Sequence, residues 1–361
     1  MSEYDDLLAA ADTAVKAAET VYTMVKDNPP SPTPIPPDPE PPSDGTPFEQ
    51  AWAEVKQPVL QWNAVKAITS QQALQNWLGS RKAGDHVKVS GFQWNGRLEI
   101  RGGGPCWLEC DPTFKIRNAV KGTSNIGLWI VNVNGCHVTG FPQCFDAGNQ
   151  GLRVQGTRDA YVEADCFNNG GNGFLVDSYN GRPHGIFKVK GGGNGRGAMP
   201  PGSPGYEAAY YVSDIDPHAQ KGTGVHMANV WQLDPGSAVL IDCDKEQKFG
   251  AGMQTTELLG TSANPIILAI RAKSLSCDVN EIPPSSSGGR QSAGNGWQPW
   301  GGAHKYVTVK SIELGSCAQG IDSASSYTSC TVEYGRVDNH RLSPVWDSSG
   351  GIVLKDVVPK P

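Results

Sequence analysis

An eleven-residue phrase occurs twice in this chain, twenty-two residues apart: residues 144–154 read CFDAGNQGLRV and residues 166–176 read CFNNGGNGFLV. Weaker echoes stand at 125–131 (NIGLWIV) and 317–323 (CAQGIDS). A period of 22–24 residues is too long for a coiled coil and falls in the range of stacked repeat units. After its glycine each copy alternates apolar and polar residues (Leu128/Ile130, Leu152/Val154, Phe174/Val176), the two-residue period of a strand with one buried face. Gly and Asn precede each strand, where the backbone turns sharply and a positive φ is often needed. Stacked copies make a β-solenoid, with Cys144 above or below Cys166 and Phe145 beside Phe167 in interior ladders. The expected class is therefore mainly β.

Nine cysteines are present and none forms a CxxC pair. Cys144 and Cys166 read as small buried hydrophobes, with a disulfide between neighbouring rungs as the alternative. Charge is spread unevenly. Residues 1–47 hold nine acidic and two basic groups, a net of −7, which leaves about +1 for the remainder of a chain whose total is −6. A nearly neutral body lacks the concentrated basic footprint that nucleic-acid binding needs. The start, MSEYDDLL, has neither the basic residues nor the apolar run of a signal peptide. No stretch approaches 18 apolar residues, so no membrane insertion is expected.

Three regions precede or make up the column. In residues 1–28, Tyr4, Leu8, Ala11, Val15, Ala18, Tyr22 and Val25 follow spacings of four and three, a heptad seam. So short and Ala-rich a helix is marginal alone and needs identical partners or a docking groove. The alternative is a lone amphipathic helix lying on its own domain. Residues 29–47 contain ten of the 27 prolines and favour extended polyproline II, a spacer about 55–60 Å long. Residues 48–84 read as a cap segment for the column. Within it SQQALQNWL (70–78) forms a short helix, N-capped by Ser70, with Ala73, Leu74, Trp77 and Leu78 on one face. A solenoid needs such a cover at its open end.

Residues 85–361 hold the column itself, beginning at HVKVSG (86–91) and continuing through CWLE (106–109), HVTG (137–140), YVEA (161–164), AVLI (238–241), IILAI (266–270) and CTVEY (330–334). Nine to eleven rungs at about 4.8 Å each give a column of about 45–50 Å. Two long insertions, 196–222 and 280–303, interrupt the period. The second presents Trp297 and Trp300 in a Gly-rich setting, suited to stacking on sugar rings or to a protein interface. The competing reading is that both tryptophans pack the loop onto the column.

A cap helix leading through AGDHVKVSG into repeating strands with CFNNGGNGF-type turns resembles the right-handed parallel β-helix of pectin-lyase-like proteins. The order of heptad, Pro-rich spacer and β-helix resembles bacteriophage tail fibres and tailspikes. That resemblance implies a homotrimer held on other tail proteins through residues 1–28, assembled in the host cytoplasm and resident in the virion tail. It implies adhesion to a host-surface glycan or protein, with no cofactor. A polysaccharide depolymerase is the alternative, and a purely structural spike or head decoration is the third reading.

Pectin-lyase-like folds often host polysaccharide-cleaving enzymes, but fold does not license activity. A hydrolase of this kind needs one protonated and one ionised carboxyl at defined separation. Residues i and i+2 of a strand share a face roughly 7 Å apart, so D-x-D supplies such a pair. Asp214/Asp216, Asp242/Asp244 and Glu163/Asp165 are the candidates, with His184 and His218 nearby. The adjacent Asp-Asp pair and Gly-His segment of polygalacturonases are not recognisable, which leans the reading away from catalysis. No set of oxygen ligands for calcium is spelled out, so no metal is expected. KGGGNGRG (190–197) lacks the Lys-Ser/Thr ending of a phosphate loop and reads as a turn.

Overall fold

A computed structural model describes residues 45–119, 125–194, 227–244, 247–248, 251–273, 275–276, 295–317, 319–322, 324–340, 346 and 351–358. The chain divides into two units, residues 1–46 and 47–361. The heptad seam and all of the spacer up to residue 44 lie outside the described residues.

Residues 47–361 form a parallel β-solenoid. One long wall runs from Lys66–Ile68 through Asp85–Val89, Cys106–Cys110, Cys136–Thr139, Ala160–Phe167, Gly185–Gly192, Ala238–Cys243, Ile266–Ala272, Val307–Cys317 and Cys330–His340 to Ile352–Val358. Eleven strands spaced about 4.8 Å apart make this wall about 48 Å long. A second wall stacks Leu98–Arg101, Leu128–Val131, Leu152–Gln155, Phe174–Asp177, Ala228–Trp231, Met253–Thr256, Asn295–Lys305 and Gln319–Ile321. A short third wall of Gln93–Asn95, Lys115–Arg117 and Gln143–Phe145 merges into the second half of Ala160–Phe167.

The repeat sets the register. Leu128, Leu152 and Phe174 stack in one file and Ile130, Val154 and Val176 in the next, all without solvent exposure. Cys144 pairs with Cys166 inside the column, and the eight described cysteines are buried and unbonded, so the disulfide alternative is not taken up. Phe145 and Phe167 stack as expected, with centroids 5.4 Å apart and planes 7° from parallel, but they do so on the outer side of the wall. The expectation of an interior ladder is corrected here by the strand itself: consecutive residues point to opposite faces, and the cysteines hold the inner one. The turn after each phenylalanine is left-handed, with φ of 51° at Asp146 and 55° at Asn168. Asp and Asn tolerate that conformation better than other side chains.

Beyond this turn a buried amide ladder replaces backbone partners. Asn169 accepts from Ala147 N at 3.0 Å and donates to Cys144 O at 3.2 Å and to Asn194 Oδ1 at 2.8 Å. One rung on, Asn194 donates to Cys166 O at 2.9 Å. The cap helix (α2, Gln71–Ser80) forms where the sequence places it. Ser70 accepts from Ala73 N at 3.2 Å, and Leu74 and Trp77 join the core of the first rungs.

The segment before it does something composition did not suggest. Helix α1 (Pro47–Glu54) packs on Ile266–Ala272 and Val307–Cys317, far along the column, and the following residues return down its flank to Asn63, which donates N–H to Gly84 O at 2.9 Å. Residues 47–65 are thus an exterior strap on the long wall. The strap explains why AVLI and IILAI are apolar without alternation. Val239 and Ile241 face the core, while Leu240, Ala238 and Ala269 face outward and are covered by Phe48 and Ala51. A strand buried on both faces has no polar face to display.

Candidate functional site

The outer face of the long wall carries residues in files, because parallel strands in register repeat the same positions. His86, Trp107, His137 and Tyr161 form one file. Lys88, Glu109 and Thr139 form the file beside it, and Glu163 continues it on the next strand. Farther along, the same two files become Ile186, Ala238, Ile267 and Lys188, Leu240, Ala269. The wall is therefore polar and aromatic over its early rungs and apolar under helix α1.

In the polar half the rings are tightly ordered. His86 lies parallel over Trp107, centroids 3.9 Å apart, and Trp107 donates Nε1–H to Thr139 Oγ1 at 2.8 Å. The strap adds Trp62, which meets His137 edge-on at 5.0 Å, and Gln57, which donates to His137 Nδ1 at 3.0 Å. His137 is fully buried, and burial pushes its pKa from 6.5 down to about 4.

Beside these rings is a cleft of about 410 Å³ lined by Lys88, Trp107, Glu109, Asp111, Thr139 and Gly140, among others. Lys88 donates to Glu109 at 2.6 Å and His86 meets the other carboxylate oxygen at 3.0 Å. The Lys88 hydrogen bond, with help from His86, holds Glu109 below the ordinary carboxylate range. Just past the rim, Glu163 accepts Gly140 N–H at 2.9 Å and the Tyr161 hydroxyl at 2.8 Å. Burial, and then Glu163 itself, raises the Tyr161 pKa, so this phenol stays protonated. The cleft offers a cation, two carboxylates, a hydroxyl and an aromatic edge, a set that recognises polyhydroxylated ligands.

The sequence-derived candidates fare unevenly. Glu163 and Asp165 share the outward face of Ala160–Phe167, and only Glu163 reaches the vicinity of the cleft. Asp242 is nearly buried and bound by both oxygens to Arg271, so its carboxylate fastens the strap. Asp244 lies exposed just past that strand's end. His184 pairs with Asp159 at 2.9 Å on the surface. Asp214, Asp216 and His218, together with Leu8, Ala11, Val15, Ala18, Tyr22 and Val25, fall outside the described residues.

Trp297 requires a correction. It belongs to the strand Asn295–Lys305, pairs with Met253, has no exposure, and donates Nε1–H to Thr255 Oγ1 at 3.0 Å. It packs the core and presents no face to a glycan. Trp300 is 53% exposed and remains available.

Lys88, Trp107, Glu109, Thr139 and Tyr161 were not singled out from sequence. Their signal was present in HVKV, CWLE, HVTG and YVEA, four in-register strands whose outward positions are polar or aromatic at each step.

No protein-family model matches the chain, and no curated protein matches it. Among solved structures it is similar to a crystal structure of an alginate lyase from Paenibacillus sp. str. FPU-7, at 12% identity and a TM-score of 0.35 over 81% of this chain and 98% of that one. At that level the likeness bears on neither substrate nor mechanism.

Proposed function

We propose that this protein is the adhesive body of a virion tail fibre or spike. In this reading it is a homotrimer seated on other tail proteins through residues 1–28. The column projects on the Pro-rich spacer and adheres to a host-surface glycan or protein. The observation that supports this best is the strap. Where the spacer ends, the chain is fastened along the flank of the solenoid through Phe48 N–H to Glu313 at 2.8 Å, Glu49 to Arg271 at 3.1 Å and Lys188 to Trp52 O at 2.7 Å. Tension applied through the spacer then meets these contacts before it reaches the first rung. Such an anchorage suits a body held at the end of a tether. Deleting residues 1–28 is expected to abolish incorporation into particles while the column stays folded. Light scattering of the full chain against one beginning at Gly45 tests the trimer, and a monomeric mass in both overturns it. Particles lacking the protein that adsorb to their host normally would remove the adhesive role and leave a structural decoration.

One observation favours a second reading, the polysaccharide depolymerase. Glu163 and Tyr161 form a hydrogen-bonded carboxylate–phenol pair beside the cleft, a base and a protonated donor within one strand. Incubation with host-envelope polysaccharide, followed by product sizing, decides between the two. Chain shortening that disappears in Glu163→Gln selects the enzyme, and binding without shortening selects adhesion.

A further inference from the structure

The outer face of the second wall has no role in either site above, and its composition changes along the column. At its start Trp129 is ringed by Arg97, Arg101 and Arg153, with guanidinium carbons 4.8, 5.0 and 5.8 Å from the ring centre. These cations occupy that ring. Farther along, two tryptophans stand open: Trp231 is 45% exposed and Trp300 is 53% exposed.

Their positions are set by register. Trp231 pairs with Thr256. The next strand pairs Thr255 with Pro299, which brings Trp300 alongside Thr256. The file therefore reads Trp, Thr, Trp, with the two tryptophan positions two rungs or about 9.6 Å apart. Trp231 is held in place: its Nε1–H donates to Asn229 Oδ1 at 2.7 Å, two residues back on the same face. Beside this file runs a polar one at the turn. Ser178 donates to Gln232 Oε1 at 2.6 Å, and Gln232 in turn donates to Glu257. Gln232 directly follows Trp231 and Glu257 directly follows Thr256, both in the left-handed conformation, so the two files lie side by side. Two residues back along the strands, on the same face, Gln254 donates to Gln298 Oε1 at 3.2 Å.

We infer that this face is the glycan-docking surface of the column, with an extended saccharide chain running along the solenoid axis, stacked on Trp231 and Trp300 and hydrogen-bonded to the Ser178–Gln232–Glu257 file. Apolar ring faces beside amide and carboxylate groups match a sugar, which is apolar on its faces and hydroxylated at its rim. The two-rung interval is comparable to the repeat of an extended disaccharide, so both rings engage one chain without bending it. Trp231 was prepared for this by Asn229, which lowers the ordering cost on binding. The inference rests on the adhesive reading of the protein and names the surface that performs it.

The test uses full-length protein with immobilised lipopolysaccharide and capsular polysaccharide of candidate hosts, comparing wild type with Trp231→Ala, Trp300→Ala and the double variant. Each single change is expected to weaken binding about tenfold, and the double change more than either. Light scattering of the same variants should show unchanged mass. Fragments of the bound polysaccharide too short to bridge the two rings should bind the wild type and the single variants with similar weak affinity. Wild-type binding retained in full by the double variant overturns this surface and leaves adhesion standing. Loss of self-association in the double variant makes the face an interface between copies. A wild type that binds no glycan and no host cell removes the adhesive reading and this inference together.

Discussion

Arg271 holds Asp242 by two parallel hydrogen bonds, Nε to Oδ1 at 3.0 Å and Nη2 to Oδ2 at 2.8 Å, and sends Nη1 to Glu49 of the strap at 3.1 Å. The planar fork is satisfied on both sides, and its plane lies over the Phe48 ring at 4.6 Å. Asp242, a catalytic candidate in the sequence, is thereby bound into the anchorage of the strap.

Asp242→Asn is expected to cost about 1–2 kcal/mol of stability, since the arginine keeps Glu49 and partial exposure. Urea unfolding measures the loss. Proteolysis should also begin earlier in the strap, between α1 and Asn63. Unchanged proteolysis alongside full stability would show that the clamp does not fasten the strap.

Gly140 sits at φ +86°, and a Cβ there would lie 1.9 Å from Cys110 O. Gly140→Ala combines backbone strain with a clash against unyielding backbone, and about 3 kcal/mol or more should be lost. The same change displaces the N–H that Glu163 accepts. A midpoint within error of wild type would mean that the adjoining strand ends separate freely.

Asn169→Ala removes one acceptor and two donations from a fully buried position, taking the side-chain partner from Ala147 N–H and Cys144 C=O. At about 1–3 kcal/mol per such group, a loss of about 3 kcal/mol is expected in denaturant titration. Asn169→Asp should be no better, because it exchanges the donor for a buried charge. A cost under about 1 kcal/mol would indicate that water replaces the amide.

Stability should fall on mild acidification. Burial lowers the pKa of both His137 and His304 from 6.5 to about 4. The unfolded chain takes up these protons near pH 6.5 while the folded chain refuses them until about pH 4. The stability is therefore complete above 6.5 and is lost progressively down to 4, on the order of 3 kcal/mol per histidine. Thermal unfolding from pH 7 to pH 4.5 reads the slope, and His304→Gln should flatten it. An equal slope in that variant would show that His304 does not contribute to it.

What the sequence disclosed was what repeats. Leu128, Leu152 and Phe174 could be laid in one file because identical local rules recur every rung, and Ser70 with Leu74 and Trp77 announced a capped helix by local spacing. What stayed hidden depends on distant partners. Nothing local in PFEQAWAE says that Phe48 meets Leu240 and Ala269, and nothing in IDCD says that an arginine 29 residues on will take Asp242. Trp297 and Trp300 lie three residues apart in one Gly-rich stretch, and only the strand beginning at Asn295 sends the first inward and the second outward. The residues of the cleft are spelled out in HVKV, CWLE, HVTG and YVEA, but they come together only where those four strands are set in register.

The strap also carries a consequence for how the molecule is made. Phe48 meets Glu313 across 265 residues, and Glu49 meets Arg271 across 222. A ribosome delivers residues 47–65 early, but their seats are finished only when nearly the whole column has been synthesised and wound. Contacts of such separation close late in folding. A prematurely terminated chain builds its first rungs in full, yet its strap has nowhere to lie and its apolar helix face stays uncovered, open to quality control. Closure of the strap is thus a completeness check: a column is fastened to its leading segment only once it has been made to the end of the seat.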